Sequence, residues 1–302
     1  MTSTAVPAAR ARAAARRKPL RMPRIALHLF LAFAALIWVA PVVWAVFTAF
    51  RPYEDTFSRG YVSWPHSLSL TNYTTAWTQA DLPHYFFNSL IITLPAIVLV
   101  LLFSSAVAFV IARFSFWFNL PMLIFFMAAN LLPQQILLTP LYHMYLRIPL
   151  PTWLSDSGYM YDSYLGIIAI HVAFQTGFCT FVLANYMKTI PRTLNEAARV
   201  DGASVFRQYV GIIHPLCKPA FAALATLQFT WIYNDFLWAL VLMRSGAKQP
   251  ITSALSALQS QFFVDNNVIA AGSILVALPT IFVFVALQRH FISGLTLGAS
   301  KG

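Results

Sequence analysis

Six long apolar runs dominate this chain, at residues 25–50, 90–112, 121–141, 165–187, 220–243 and 268–288. Each is close to the ~20 residues a helix needs to cross a bilayer. The runs are continuously apolar and do not alternate, which implies helices rather than the strands of a barrel. The chain has 302 residues, 59% of them hydrophobic, and a mean hydropathy of +0.68. A soluble domain of that size has no core large enough to hide so much apolar surface. The expected fold is therefore an all-α membrane protein with six transmembrane helices. Pro41, Pro95, Pro133 and Pro279 lie inside the runs, where neighbouring helices tolerate the kinks they bring.

Charge placement orients the six spans. The formal net charge is +11, which on a soluble protein would suggest nucleic acid. Here the charge is segregated. With the N-terminus inside, fifteen of the twenty Lys and Arg fall on the inner side. Only Arg51, Arg59, Arg147, Arg244 and Lys248 fall outside, where Glu54, Asp55, Asp81, Asp156, Asp162 and Asp265 also lie. This is the positive-inside pattern. Six spans return the C-terminus to the same side, so both termini are expected in the cytoplasm. Residues 1–24 carry seven basic residues and no acid. They read as a basic cytoplasmic tail that meets anionic lipid heads. A transit peptide is the rival reading, and a cleaved signal peptide fits less well because the next apolar run is too long. Residues 25–302 read as one transmembrane domain.

One polar stretch interrupts the apolar pattern on the inner side. Residues 196–220 carry Glu196, Arg199, Asp201, Arg207 and Lys218 in a chain that is only 10% charged. Ala197, Ala198 and Val200 favour helix, and Gly202 breaks it. Val205, Phe206, Tyr209, Val210 and Ile213 then recur at helical spacing, up to a stop at Pro215. The spacing predicts a helix-turn-helix loop in water, within residues 188–219.

Glu196-Ala-Ala, Asp201-Gly202-Ala203, Pro215-Leu216 and Pro219 resemble the cytoplasmic loop of permease subunits from binding-protein-dependent ABC importers. The resemblance extends further. Asn72-Tyr73 and Asn88-Ser89 are similar to motifs that precede the family's core membrane domain. The run from Trp231 to Trp238 resembles the W-N-D-F-L-W pattern of sugar-importing members, with Tyr233 where Trp usually precedes Asn. The ending from Gln288 to Gly302 resembles the maltose-type permeases, with Ser300 where Val is common. His214 departs from the pattern, standing where an apolar residue usually precedes Pro-Leu.

The resemblance implies a coupling loop that docks on an ATPase subunit. Glu196 would be its charged contact, Gly202 its turn, and Ala197, Ala198 and Ala203 its places of close approach. Phe206, with Tyr209 and Val210, would fill an apolar groove, while Asp201 and Pro215 belong to the same motif. A local Glu196–Arg199 pair at i+3 is the compatible rival, worth only ~0.2–0.5 kcal/mol. The implied partners are a second permease in a heterodimer, two ATPase subunits, an extracytoplasmic substrate-binding protein and membrane lipid, at a bacterial inner membrane. The implied cargo is a sugar or polyol, with oligosaccharide, monosaccharide and glycerol phosphate all open.

The residues themselves supply no catalytic constellation. No Gly-Lys-Ser or Gly-Lys-Thr occurs for phosphate binding, and no H-E-x-x-H or G-x-S-x-G. The chain is expected to hold no cofactor, with ATP and Mg on the partner ATPase, and to contact no nucleic acid. Cys179 and Cys217 read as reduced and inert. Asp235 is the one acid inside an apolar run, and such a carboxylate normally faces a cavity or partner. Asn234, Gln175 and Asn130 also lie at membrane depth, and Tyr233 would offer an aromatic wall for a sugar. These five are the candidate substrate path. Helix–helix hydrogen bonding competes for each of them. A secondary transporter or channel using Asp235 as a proton or cation site is the alternative function, and a membrane enzyme a weaker third.

Overall fold

The computed structural model describes residues 24–79, 81–257 and 265–296, with side chains to residue 288 in the last segment. The tail before residue 24, residues 258–264 and the C-terminal end beyond residue 296 lie outside the described residues. The chain divides into two compact units, Met1–Trp44 and Ala45–Gly302. The first holds most of α1 (Arg24–Ala49), an unbroken helix that accommodates Pro41.

The second unit begins with two short helices, α2 (Tyr53–Arg59) and α3 (Thr71–Gln79). The long helices α4 (Leu82–Arg113) and α7 (Tyr164–Thr189) form its spine and pack along one another. Between them lie α5 (Asn119–Leu131) and α6 (Gln134–Tyr145). After α7 come α8 (Thr193–Val200), α9 (Val205–Leu216) and α10 (Lys218–Tyr233). The short α11 (Leu237–Leu242) and α12 (Ile251–Ala257) precede α13 (Asn266–Thr296), which packs on α10 and α3.

The helices stop where the sequence removes a donor. Leu132 precedes Pro133 and is extended at φ −68°, ψ 130°; Ile190 precedes Pro191 and is extended at φ −76°, ψ 128°. A proline ring disfavours helical geometry in the residue before it. The start of α7 is fixed by the Ser163 hydroxyl, which accepts from the Gly166 amide at 3.0 Å. At Gly166 the chain passes so close to the Met160 carbonyl that a β-carbon would collide with it, and would crowd the Tyr145 ring at 3.1 Å.

Two expected spans are not single helices. The run 121–141 is α5 and α6, bent by 95° at Leu132–Pro133. Proline here breaks the helix rather than kinking it, because the next turn starts in a new direction. The run 220–243 ends its first helix at Tyr233 and restarts at Leu237, since the polar pair Asn234-Asp235 leaves the helical path. Four helices are long and apolar enough to cross a membrane: α1, α4, α7 and residues 266–288 of α13. The count reaches six if the bent pairs α5–α6 and α9–α10 are each one span.

The core of the second unit has two halves. Toward the α8–α9 end, Val100, Phe109, Leu183, Met187, Ile213 and Leu224 pack together. Toward the other end, Ile92, Ile167, Phe229, Tyr233, Trp238 and Ile251 do so. Small residues on the spine, Ala96, Ser104, Ser105, Ala108 and Ala184, are buried within this core.

The end away from α8 and α9 is held by hydrogen bonds to main chain. Arg51, 1% exposed, donates to Asp55 Oδ2 at 2.6 Å, to Gly60 O at 3.0 Å and to Ser63 O at 3.1 Å. Asn72 donates to Ala49 O and Arg51 O, and Asn267 donates to Arg51 O. His84 and Asn88 both donate to Ala247 O, and Asn88 also to Gln249 O. Ser89 accepts from the Ile251 amide at 2.9 Å. Asp162, in left-handed geometry at φ 60°, accepts from the Arg244 and Ser245 amides, each at 2.9 Å, and from the Ser245 hydroxyl.

Candidate functional site

Two places gather the candidate residues. The first is the α8–α9 loop. The expected helix, turn and second helix are present, and Gly202 takes the turn at φ 76°. The Ala203 amide donates to Ala198 O at 2.8 Å and the Gly202 amide to Arg199 O at 3.1 Å, closing the end of α8. The return is braced by Gln208, which accepts from Asn195 Nδ2 at 3.2 Å and donates to Ala203 O at 2.9 Å. Ser204 caps α9 by accepting from the Arg207 amide.

This brace leaves an outward surface. Glu196, Ala197, Asp201 and Gly202 are exposed, Val200 is 88% exposed and Phe206 73%. Among the described residues Glu196 makes no ion pair, so the local bond to Arg199 is not formed. Ala198 is buried and Ala203 half-buried, so their small size serves packing within the loop. Tyr209 departs from the expected groove-filling role. Its hydroxyl shares a hydrogen bond with the Ser105 hydroxyl at 2.6 Å and its ring lies 5.2 Å from Phe109, which pins α9 to α4.

Pro215 does not end the helix. A π turn over Tyr209–Ile213 precedes it, with the His214 amide bonded to Tyr209 O, and the helix runs on to Leu216. The wider turn gives room for a ring that cannot donate. The chain then bends by 72° into α10.

The second place is a cleft of about 500 Å³ where α5, α6, α7 and the break after α10 meet. Asn130 from α5, Gln175 from α7 and Asn234-Asp235 from the break after α10 all line it. Residues far apart in sequence therefore converge on one cleft. Trp231, Phe174 and Trp238 supply aromatic walls, with Phe174 and Trp238 ring centres 5.3 Å apart. His171 joins them, its Nε2 3.7 Å from Asp235 Oδ2. Neither His171 Nε2 nor Gln175 Oε1 has a hydrogen-bond partner, though both are buried.

Asp235 also organises the break itself. Its Oδ2 accepts from the Ala239 amide at 3.4 Å and its carbonyl accepts from the Thr252 hydroxyl. Asn234 donates to Thr230 O at 2.7 Å and to the Thr280 hydroxyl at 3.2 Å.

Tyr233 lies elsewhere. It is 1% exposed, stacks on Phe229 at 5.2 Å and donates to Val276 O at 3.3 Å, which is a helix–helix contact between α10 and α13. The cleft thus joins a break in the helix, two unpartnered polar atoms of α7 and aromatic walls. The sequence offers Arg51 and Asp162 only as charges on one side, and Asn267 not at all, although all three fasten main chain. Arg51 and Asp55 at i,i+4 directly after an apolar run were a legible sign of a local pair; Asp162 and Asn267 gave none.

The fold is that of a helical membrane protein with a braced polar loop. Residues 78–296 match the family model described as binding-protein-dependent transport system inner membrane component, and the chain belongs to that family. A probable ABC transporter permease protein of Pyrococcus horikoshii is 30% identical, covering 86% of this chain and 91% of that one. The arabinooligosaccharides transport system permease protein AraQ of Halalkalibacterium halodurans is 32% identical, over 90% and 94%. The melibiose/raffinose/stachyose import permease protein MelC of Bacillus subtilis is 29% identical, over 96% and 99%. A crystal structure of a bacterial ABC transporter involved in alginate import contains a chain of the same fold. Its TM-score is 0.72 at 22% identity, covering 89% of this chain and 96% of that one.

Proposed function

We propose that this chain is one permease of a heterodimeric pair in an ATP-driven importer of a carbohydrate or related polyol. The observation that carries the reading is the α8–α9 loop, a hydrogen-bonded turn that presents unpaired Glu196 beside exposed Val200 and Phe206. Apolar side chains held out on a rigid polar loop favour a protein partner. Two copies of an ATPase subunit would bind ATP and Mg, and one would receive this loop through Glu196, Ala197, Asp201, Gly202 and Phe206. Pro215 and its π turn would set the angle of α9 beneath them. A binding protein outside would deliver the cargo.

Sugar-named relatives support the cargo class, as does the cleft at Asn130, Gln175, Asn234 and Asp235. In this reading six spans place both termini, the tail of residues 1–24 and loop 188–219 in the cytoplasm of a bacterial inner-membrane protein. Closure of the ATPases would move the loop and rock the two permeases between inward and outward access.

Reconstitution with the cognate ATPase and binding protein tests this. Glu196→Lys is expected to lower both uptake and stimulated ATP turnover roughly tenfold, the equivalent of ~1.4 kcal/mol of docking energy. Unchanged coupling would sink the reading. The His171–Asp235 pair favours a second reading, gradient-driven transport by this chain alone. That reading requires uptake without ATPase and its loss in Asp235→Asn.

A further inference from the structure

A second cleft, of about 490 Å³, opens where α4 meets α8 and α9. Three arginines line it: Arg113 at the end of α4, Arg192 just before α8, and Arg199 within α8. Only one carboxylate, that of Glu196, faces the same space. Arg113 and Arg192 bring like charge to its lining. None of the three arginines makes an ion pair among the described residues. Arg113 spends Nη1 on Ile190 O at 3.1 Å, while its Nε and Nη2 are buried with no acceptor. Buried guanidinium N–H groups without acceptors are costly, and three guanidiniums around one cavity add to the cost. Asn195 Oδ1 is likewise buried without a donor.

We propose that this cleft binds the phosphate of an anionic phospholipid head group. Arg113 lines the cleft, and its covered Nε and Nη2 would turn toward the phosphate as the fork that suits an oxygen pair. The location favours a lipid source over a soluble one. Arg113 is the last residue of an apolar span, and Phe109 and Phe114 form the adjoining wall of the cleft. The chain then continues through Phe116, 47% exposed, and Trp117, 89% exposed. Exposed aromatics at a span end mark the head-group level of a bilayer. Basic pockets between helices at that level are suited to anionic head groups. Because Arg192, Arg199 and Glu196 belong to the same loop, a bound head group would brace α8 against α4. The site does not depend on which cargo is carried.

The test is lipid retention by the full-length chain, counted by native mass spectrometry after extraction from nanodiscs. One set of discs holds phosphatidylglycerol and the other phosphatidylcholine with the same acyl chains. The wild type is expected to retain phosphatidylglycerol selectively. Arg113→Gln and Arg192→Gln should each weaken retention roughly five-fold, as expected for one basic residue at a lipid surface. Arg113→Lys should lose less. Arg207→Gln, whose side chain does not line the cleft, is the charge-matched control and should lose nothing. A melting curve of each variant separates lost binding from lost fold.

Inorganic phosphate is the second probe. Arginine-dependent phosphate binding without lipid selectivity would keep the phosphate site and replace its source. Equal retention of the two lipids with no phosphate binding overturns the site. So does displacement of lipid by added ATPase subunit at one to one, which would make the cleft a protein-docking surface.

Discussion

Gly202 sits at φ 76°, and a β-carbon there would meet nothing within 4 Å. The demand on this position is therefore conformational and not steric. Gly202→Ala should cost ~1–2 kcal/mol of loop geometry, and Gly202→Asn less, because asparagine visits left-handed geometry more readily. The readout is ATP turnover stimulated by binding protein in proteoliposomes. Equal turnover for all three proteins would mean the turn is not needed for docking. Asp55 makes a second residue-scale prediction. The Arg51 guanidinium bonded to it holds its carboxyl below the ordinary value of 3.8, against a smaller opposing effect of desolvation. A lowered value in the folded state means the carboxylate stabilises fully above 3.8, and that contribution fades as pH falls through the lower folded value. Amide protection across residues 52–63, measured against the intrinsic exchange rate at each pH, should thus stay high at neutral pH and fall only in strong acid. Asp55→Asn should lower the neutral protection and flatten the acid response.

At the scale of elements, α7 begins in a crowded corner. Gly166→Ala would push a methyl group into the Met160 carbonyl and against the Tyr145 ring, whose hydroxyl donates to Gly166 O at 2.9 Å. Backbone has to shift, at about 1–3 kcal/mol. A melting curve in detergent should fall, with α8–α9 docking unaffected. The positions of most helices were legible in the sequence because apolar runs of this length leave few alternatives. Their breaks were harder to read. Pro41, Pro95 and Pro279 stay inside unbroken helices while Pro133 ends one, and composition does not distinguish them. What differs is tertiary: Asn130 and Gln134, either side of the break, both line the cleft. The same limit applies to Tyr233. Its neighbours Asn234 and Asp235 reach the cleft, but helical rotation turns its ring into the core. The arginine cleft was invisible because Arg113 lies about eighty residues from Arg192 and Arg199.

For the whole molecule, sidedness is the open quantity. Cys179 and Cys217 are both buried, so the native chain offers little labelling background. Ser204→Cys in the α8–α9 loop and Thr152→Cys between α6 and α7 should react with an impermeant maleimide from opposite sides of the membrane. The loop site should react in inside-out vesicles and the other in right-side-out vesicles. Reaction of both from one side would refute the six-span arrangement and with it the cytoplasmic position of the coupling loop.

The main-chain bonds that His84, Asn88, Ser89 and Asp162 make to residues 244–251 act as a fulcrum. From Asn88 the rest of α4 runs on to Arg113, a lever arm of about 38 Å at 1.5 Å per residue. A tilt of about ten degrees would sweep the Arg113 end through roughly 6 to 7 Å while Asn88 hardly moves. Small angular play at the fastened end thus becomes a displacement longer than one helical turn at the other, where the arginine cleft and the exposed Glu196 travel together.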